Sequence, residues 1–535
     1  MQNRRLLLLF VVITAVFGTA SRCGKNAADD SRLFTIALDG QFNTLDPIGA
    51  ITVDASSERI RTLMYNSLVK KDEKFDYVGD LAEKFEPSQD GLSYTFTLHD
   101  NVKFQNGAKL TSADVKYTID TVLNSNGGKG AAFFDTIEGK KSPIVASIET
   151  PDPKTVVIKI TKPEYKNKLI PNLVPVAIIP NGTPVGDKSD AAKNPPPGTG
   201  AYKFKSFDQA QNIVDLVGFD EAWEGAPKIK NIRVKVLADA NALQAELLSG
   251  RVDLAPTASN LAPETLKNMA SNPKLQVVSS KGSNIQYLWF NTEAAPVNNA
   301  KVRQAIAYGI DRKKIIRDLL DGQAQIAYSI LPSESWAYSS GVKYDYDPEK
   351  AKSLLDEAGF KDSNNDGMRD MPKIIFKVSS GNKAVLQYSQ VIQSQLKEIG
   401  IPVEIESLEF RTMQEQVQKG QFIMMTGRWV GGNQDPIFLK DLFASTEIPT
   451  EARASRNRGR YSNPQVDELL NKATTELDKE QAKKDYAQAQ QVISEDLPLD
   501  PLWYPDNLVV AAADVKNIKI NASGDWDFVK NLTLK

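Results

Sequence analysis

Within Ile374–Ile405 the chain spells a strand (Ile374–Val378), an amphipathic helix (about Lys383 to Ile399) and a second strand (Val403–Ile405). A strand, a helix and a strand at this spacing form a β–α–β unit, with the helix carrying the crossover. An earlier block is equally mixed. Leu33–Leu38 reads as a strand that is apolar on both faces and therefore buried on both sides. Tyr94–Leu98 alternates cleanly and Val156–Ile160 nearly so, while Ser112–Leu123 has helical spacing through Val115, Ile119, Val122 and Leu123. Thr111 or Ser112 is the natural N-cap. After the rigid stretch Pro195-Pro-Pro-Gly-Thr-Gly200 come strands Ala201–Phe207 and Ile229–Val236, then a helix Ala240–Leu248 ending at Gly250. The second block opens near Tyr287–Asn291. It continues with an amphipathic helix from Val302 to Leu320 and a short helix Lys350–Ala358. Two such blocks predict two α/β lobes.

Length and scarcity narrow the chemistry. At 535 residues the chain has room for two to four domains. Hydrophobic residues at 41% and charged residues at 25% are globular values, and a net charge of −2 leaves no basic excess for nucleic acid. There is one Cys, Cys23, and one His, His99, so an intrachain disulfide and a Cys/His zinc site are both excluded. His99 has no nucleophile in its sequence context and reads as a surface or turn residue. No carboxylate pair stands out for hydrolysis, so no enzyme activity and no cofactor are expected.

The N-terminus reads as a signal peptide. Arg4 and Arg5 precede the apolar run Leu6–Phe17, which is shorter than the roughly 20 residues a bilayer helix needs. Residues 1–23 are assigned to the signal and 24–32 to a polar tether. Cys23 resembles the acylated cysteine of bacterial lipoproteins, which implies a lipid anchor and an extracytoplasmic location in the periplasm or cell envelope.

Several stretches carry a wider resemblance: Thr44-Leu-Asp-Pro47, Leu81–Pro87 with Asp90–Leu98, Val102-Lys-Phe104, Asn106-Gly107, Thr111–Val115, Pro197–Phe204, Asn291, Val302–Ala305, Tyr308, Ile310-Asp311, Tyr461, Asn463-Pro464 and Val466–Leu470. In this order the chain resembles the extracytoplasmic solute-binding proteins of ABC importers, in the family of oligopeptide-, dipeptide- and nickel-binding proteins (family 5). The resemblance implies an α/β fold of two periplasmic-binding-protein-like lobes joined by a hinge, with an additional α/β domain inserted in the first. Lobe I maps to 33–62, 200–283 and 502–535, the inserted domain to 63–199, and lobe II to 284–501. It further implies a monomer that captures a short peptide by lobe closure and delivers it to the transmembrane subunits of an ABC permease. Another polar solute (an oligosaccharide, an opine-like compound or a metal chelate) is the alternative. A surface adhesion or signalling protein reusing the fold is a further one.

The expected ligand residues are Trp429, Gly431, Gly432, Trp503 and Tyr504. In peptide-binding relatives a Trp is followed three residues later by an Asp that holds the peptide ammonium; here Trp429 fits the Trp and Gly432 stands at the Asp position. Asp435 precedes Pro436 and an apolar run, so it reads as a helix cap. Asp362, Asn364, Asp366 and Asp370, with Gly367, resemble a calcium loop that lacks its final Glu, Lys373 standing there instead. Asn and Asp also favour tight turns, which leaves calcium a weak candidate and no other metal expected.

Overall fold

The computed structural model describes residues 32–48, 54–125, 127–137, 140–185, 190–258, 261–380, 383–431, 434–451, 455–476 and 478–535. The signal peptide with Cys23, and the tether up to residue 31, lie outside the described residues. Arg32, the first described residue, bridges Asp253 and Asp514 through its guanidinium, each at 2.5 Å.

Leu33–Leu38 lies inside a seven-stranded sheet, parallel to Asn231–Val236 on one side and to Leu254–Ala255 on the other. Phe34, Ile36 and Leu38 face one apolar cluster and Ala37 faces another, which explains a strand apolar on both faces. A second sheet of six strands has the order Ala324–Ile326, Leu499–Pro505, Ile285–Phe290, Met424–Trp429, Ile374–Ser379 and Val403–Leu408. Its last two strands are parallel and are joined by the helix Lys383–Glu398, as the spacing predicts. The expected helix from Val302 to Leu320 is instead two, Ala300–Tyr308 and Arg312–Leu319. The break is local: the Asp311 carboxylate accepts from the Lys314 N–H at 2.9 Å and caps the second helix.

The inserted domain is a four-stranded antiparallel sheet, Ala82–Pro87, Ser93–Leu98, Thr155–Ile160 and Val145–Asp152, with the helix Ser112–Leu123 packed on it. Thr111 donates to the Asp114 carboxylate through both its N–H and its hydroxyl, at 2.8 Å each. The insert is fused to lobe I. Phe34, Ile36 and Ile60 of the lobe share one continuous apolar cluster with Phe96, Phe104 and Val115 of the insert. Buried Lys129 donates to the Pro47 carbonyl and to the Glu58 carboxylate, both at 2.9 Å. Burial, with Arg61 nearby, pushes its pKa down to about 8. Gln105 bonds to the carbonyls of Met64, Gly200 and Tyr202, stapling the chain's entry to and exit from the insert.

Lobe II is joined differently. Its apolar clusters contain no described residue of lobe I or the insert. The chain crosses at 281–284 and returns at Asp506, since Leu499–Pro505 belongs to the second sheet and Asn507–Ala512 to the first. The expected boundary at 502 therefore moves, because Leu499–Pro505 pairs with Ile285–Phe290. The two crossings press together at Gly282, where a Cβ would collide with the Pro505 carbonyl oxygen. Asp506 accepts from the Ser279 hydroxyl at 2.8 Å, and its N–H donates to the Gln323 carbonyl at 3.1 Å.

Lobe II buries one unusual charge. Asp500 is 1% exposed and its Oδ2 has no hydrogen-bond partner among the described residues. Burial raises its pKa from 3.8 to about 6, against the pull of Arg312. The folded state thus holds a proton that the unfolded chain has released, and the favourable contribution present below the unfolded pKa is lost as pH rises through about 6. A shift of this size corresponds to about 3 kcal/mol. Chemical denaturation between pH 4 and pH 7 should show Asp500→Asn gaining stability over the native chain as pH rises, whereas parallel curves would contradict this.

Candidate functional site

The central strand Met424–Trp429 delivers the stretch that the sequence singles out. Alternation places Arg428 on the face of Met424 and Thr426, and Trp429 on the face of Met425. Trp429 is half-buried in an aromatic cluster. Tyr287 stacks on it at 6.3 Å, Phe438 meets it edge-on at 4.9 Å, and the Arg458 guanidinium lies 5.9 Å from its ring centroid. Its Nε1 is buried without a partner among the described residues. Gly431 follows at φ +77°, a left-handed turn that glycine adopts at low cost, and its carbonyl accepts from the Gln434 N–H at 3.2 Å. Gly432 lies outside the described residues.

Trp503 and Tyr504 do not reach the cleft. Trp503 is 2% exposed and packs edge-on against Tyr388 at 5.1 Å. Tyr504 is 5% exposed and donates its hydroxyl to the carbonyls of Ser329 and Leu331. Both are lobe II core, because their strand pairs inside the second sheet and does not run along the crossing. In the loop 362–370 the acidic side chains serve the backbone. Asp362 accepts from the N–H groups of Asp366 and Gly367, Asp366 from Met368, and Asp370 from Ser363. These are turn bonds, and among the described residues no cluster of three or more His, Cys, Asp or Glu is arranged to hold a metal.

A cavity of about 550 Å³ opens beside the same stretch, between the insert and lobe II. Tyr77, Phe85 and Tyr94 line it from the insert, and Trp336, Asp435 and Tyr486 from lobe II. Its size is that of a small-ligand site, and aromatic walls with a few charged groups suit a polar solute that has apolar parts. Among the described residues, three polar contacts close the gap. Tyr77 donates its hydroxyl to Asp435, Lys479 pairs with Asp76 at 2.6 Å, and Asn167 donates to the Thr474 carbonyl. Asp435 also accepts from the Ile437 N–H at 2.9 Å, but this is a turn bond: the helix starts later, at Phe438–Phe443, with Ile437 as its N-cap and no side-chain cap bond, so Asp435 does not cap it as expected and instead carries an interdomain bond. Desolvation and Asp435 together hold the Tyr77 phenol well above its usual pKa, keeping it a donor.

Sequence reading missed Tyr77, Trp336 and Tyr486, which come together only through the packing of three segments far apart in the chain.

These latch contacts are polar and few, so they are the part of the molecule that opens at least cost. The double variant Tyr77→Phe with Lys479→Ala should raise hydrogen exchange in segments 434–443 and 473–486 by about tenfold. Amides of the strand Ile374–Ser379 should stay unchanged. Equal exchange in variant and native chain would contradict the latch.

Comparison with known proteins places this architecture. Residues 76–449 match the model for bacterial extracellular solute-binding proteins, family 5 (middle). The chain is 30% identical over 500 residues to the oligopeptide-binding protein AppA of Bacillus subtilis, covering 90% of this chain and 88% of that one. The structure of that protein with a nonapeptide superposes with a TM-score of 0.72 at 28% identity, over 94% and 99% of the two chains. Heme-binding protein A of Haemophilus influenzae is also 30% identical, over 86% of this chain and 83% of its own. NikA of Brucella suis, solved with Fe(III)-EDTA, shares the fold at a TM-score of 0.81 and 24% identity, covering 94% of this chain and 100% of that one. No helix among the described residues is long and apolar enough to cross a membrane. The two lobes, the hinge, the inserted domain and the matched sequence agree: this chain belongs to family 5 of the bacterial extracellular solute-binding proteins.

Proposed function

We propose that the protein is the receptor of an ABC importer, that its solute is a short peptide, and that it holds the peptide between lobe II and the unit formed by lobe I and the insert. The observation that carries this reading is the aromatic-walled cavity of about 550 Å³, closed by contacts that span the insert and lobe II. A ligand that touches both sides favours the closed form, and the transporter's membrane subunits then recognise that form. Similarity to an oligopeptide-binding protein supports the peptide. The chain works without chemistry of its own, as a monomer, held at the cell envelope by a lipid on Cys23. Gly432, at the position of the usual ammonium anchor, favours a second reading in which the solute is another polar compound such as a metal chelate.

Native mass spectrometry of the chain purified without refolding tests both parts. The expected result is a retained mass that fragments as a peptide, on a polypeptide that begins at Cys23 and carries acyl groups. A retained oligosaccharide or chelate mass would overturn the peptide, and an unacylated N-terminus would overturn the anchor.

A further inference from the structure

The cavity between the insert and lobe II is lined by five charged residues, Asp76, Lys166, Asp435, Glu476 and Lys479. Three of them are engaged by the protein itself. Asp76 pairs with Lys479 at 2.6 Å, and Asp435 accepts from Tyr77 and, at 2.9 Å, from the Ile437 N–H. That leaves Lys166 on the insert wall and Glu476 on the lobe II wall. Among the described residues the Lys166 ammonium has neither an ion-pair partner nor a hydrogen-bond acceptor. Glu476 accepts from the Asp478 N–H at 2.9 Å but has no cation partner among the described residues.

The two stand opposite each other. Asn167, the neighbour of Lys166, donates to the carbonyl of Thr474, two residues before Glu476. Both side chains are half-buried. The Glu476 charge acts on Lys166, yet desolvation outweighs it and lowers the Lys166 pKa. The contacts that close the gap are made in this structure, and still the ammonium and the carboxylate do not pair. Closure therefore brings two opposite charges face to face across the cavity without joining them.

A charge at an open surface needs no protein partner, because water supplies one. Between Phe85 and Tyr94 on one side and Trp336 and Tyr486 on the other, water is less plentiful, and a charge-assisted bond to a bound group is favoured accordingly. A solute that carries both a carboxylate and an ammonium satisfies the two walls at once. We propose that Lys166 and Glu476 are the end anchors of a zwitterionic solute, Lys166 holding its carboxylate and Glu476 its ammonium. The inference rests on the reading that a short peptide binds in this cavity, and it names the class within that reading: peptides with both termini free, their apolar side chains against the aromatic walls. One anchor belongs to the insert and the other to lobe II, so the solute bonds to both only when the gap is closed. The pair that selects the solute thereby stabilises the closed form.

Calorimetry on the unliganded chain with four probes tests this: the tripeptide Ala-Phe-Ala, its N-acetyl derivative, its C-terminal amide and the doubly blocked N-acetyl amide. Blocking either end should weaken binding about ten- to hundredfold, and blocking both should weaken it most. Lys166→Met should bind the free peptide as weakly as the native chain binds the amide. Amidation should then have no further effect, while acetylation should still weaken binding. Glu476→Gln should show the mirror pattern, blind to acetylation and still sensitive to amidation. Lys166 bonds to no other side chain among the described residues, and Gln keeps an acceptor for the Asp478 N–H, so both variants should retain their circular dichroism and melting temperature. Equal binding of all four peptides by the native chain, or variants that bind them as the native chain does, overturns the anchors and leaves peptide capture standing. Variants that weaken all four by the same factor also overturn the anchors and make the two residues a clasp between insert and lobe II. Binding of none of the four by the native chain overturns the peptide together with its anchors.

Discussion

The inserted domain is fused to lobe I and merely touches lobe II. A continuous apolar cluster runs from Phe34 and Ile60 into Phe96 and Val115, and buried Lys129 rivets the two parts through Glu58 and Pro47. Separating them would expose apolar surface and strand a buried charge, both costly. Lobe II meets this unit through two crossings and a few polar bonds, Tyr77 to Asp435, Lys479 to Asp76 and Asn167 to Thr474. Water satisfies such groups well when they part. The molecule is therefore built as two bodies of unequal composition, and the cavity of about 550 Å³ lies where the attachment is weakest.

The hinge follows from the same arrangement. Gly282 lies against the Pro505 carbonyl, so the two crossings bend as a pair, with Asp506 bonded to both flanking segments. Gln434, beside the candidate site, donates to Ser283 in the first crossing at 3.0 Å. This bond joins the stretch that follows Trp429 to the first crossing.

Much of the fold was legible from periodicity and capping. Leu33–Leu38, Ser112–Leu123 and the unit 374–405 announce themselves because burial on both faces, a capping Thr and a β–α–β spacing are local signals. The helix break at Gly309–Asp311 was hidden, since apolar residues stay in phase across it and only the Asp311 cap marks the start of the second helix. The boundary at Asp506 was hidden because strand pairing is not local. The same limit applied at the site. Trp503 and Tyr504 are aromatic and close to a crossing in sequence, but register with Ile285–Phe290 and Ala324–Ile326 turns them into core. The cavity walls belong to segments hundreds of positions apart, and nothing in either segment alone reveals the other.

Closure of lobe II over a ligand, against a rigid unit of lobe I and insert, is measured directly by double electron–electron resonance on the Cys23→Ser chain. One pair of spin labels replaces Glu86 and Glu480, across the cleft, and a second replaces Glu86 and Glu221, within the fused unit. All three residues are exposed. On ligand saturation the first distance should shorten and narrow, and the second should stay fixed. An unchanged first distance, or a second that moves with it, would contradict the account.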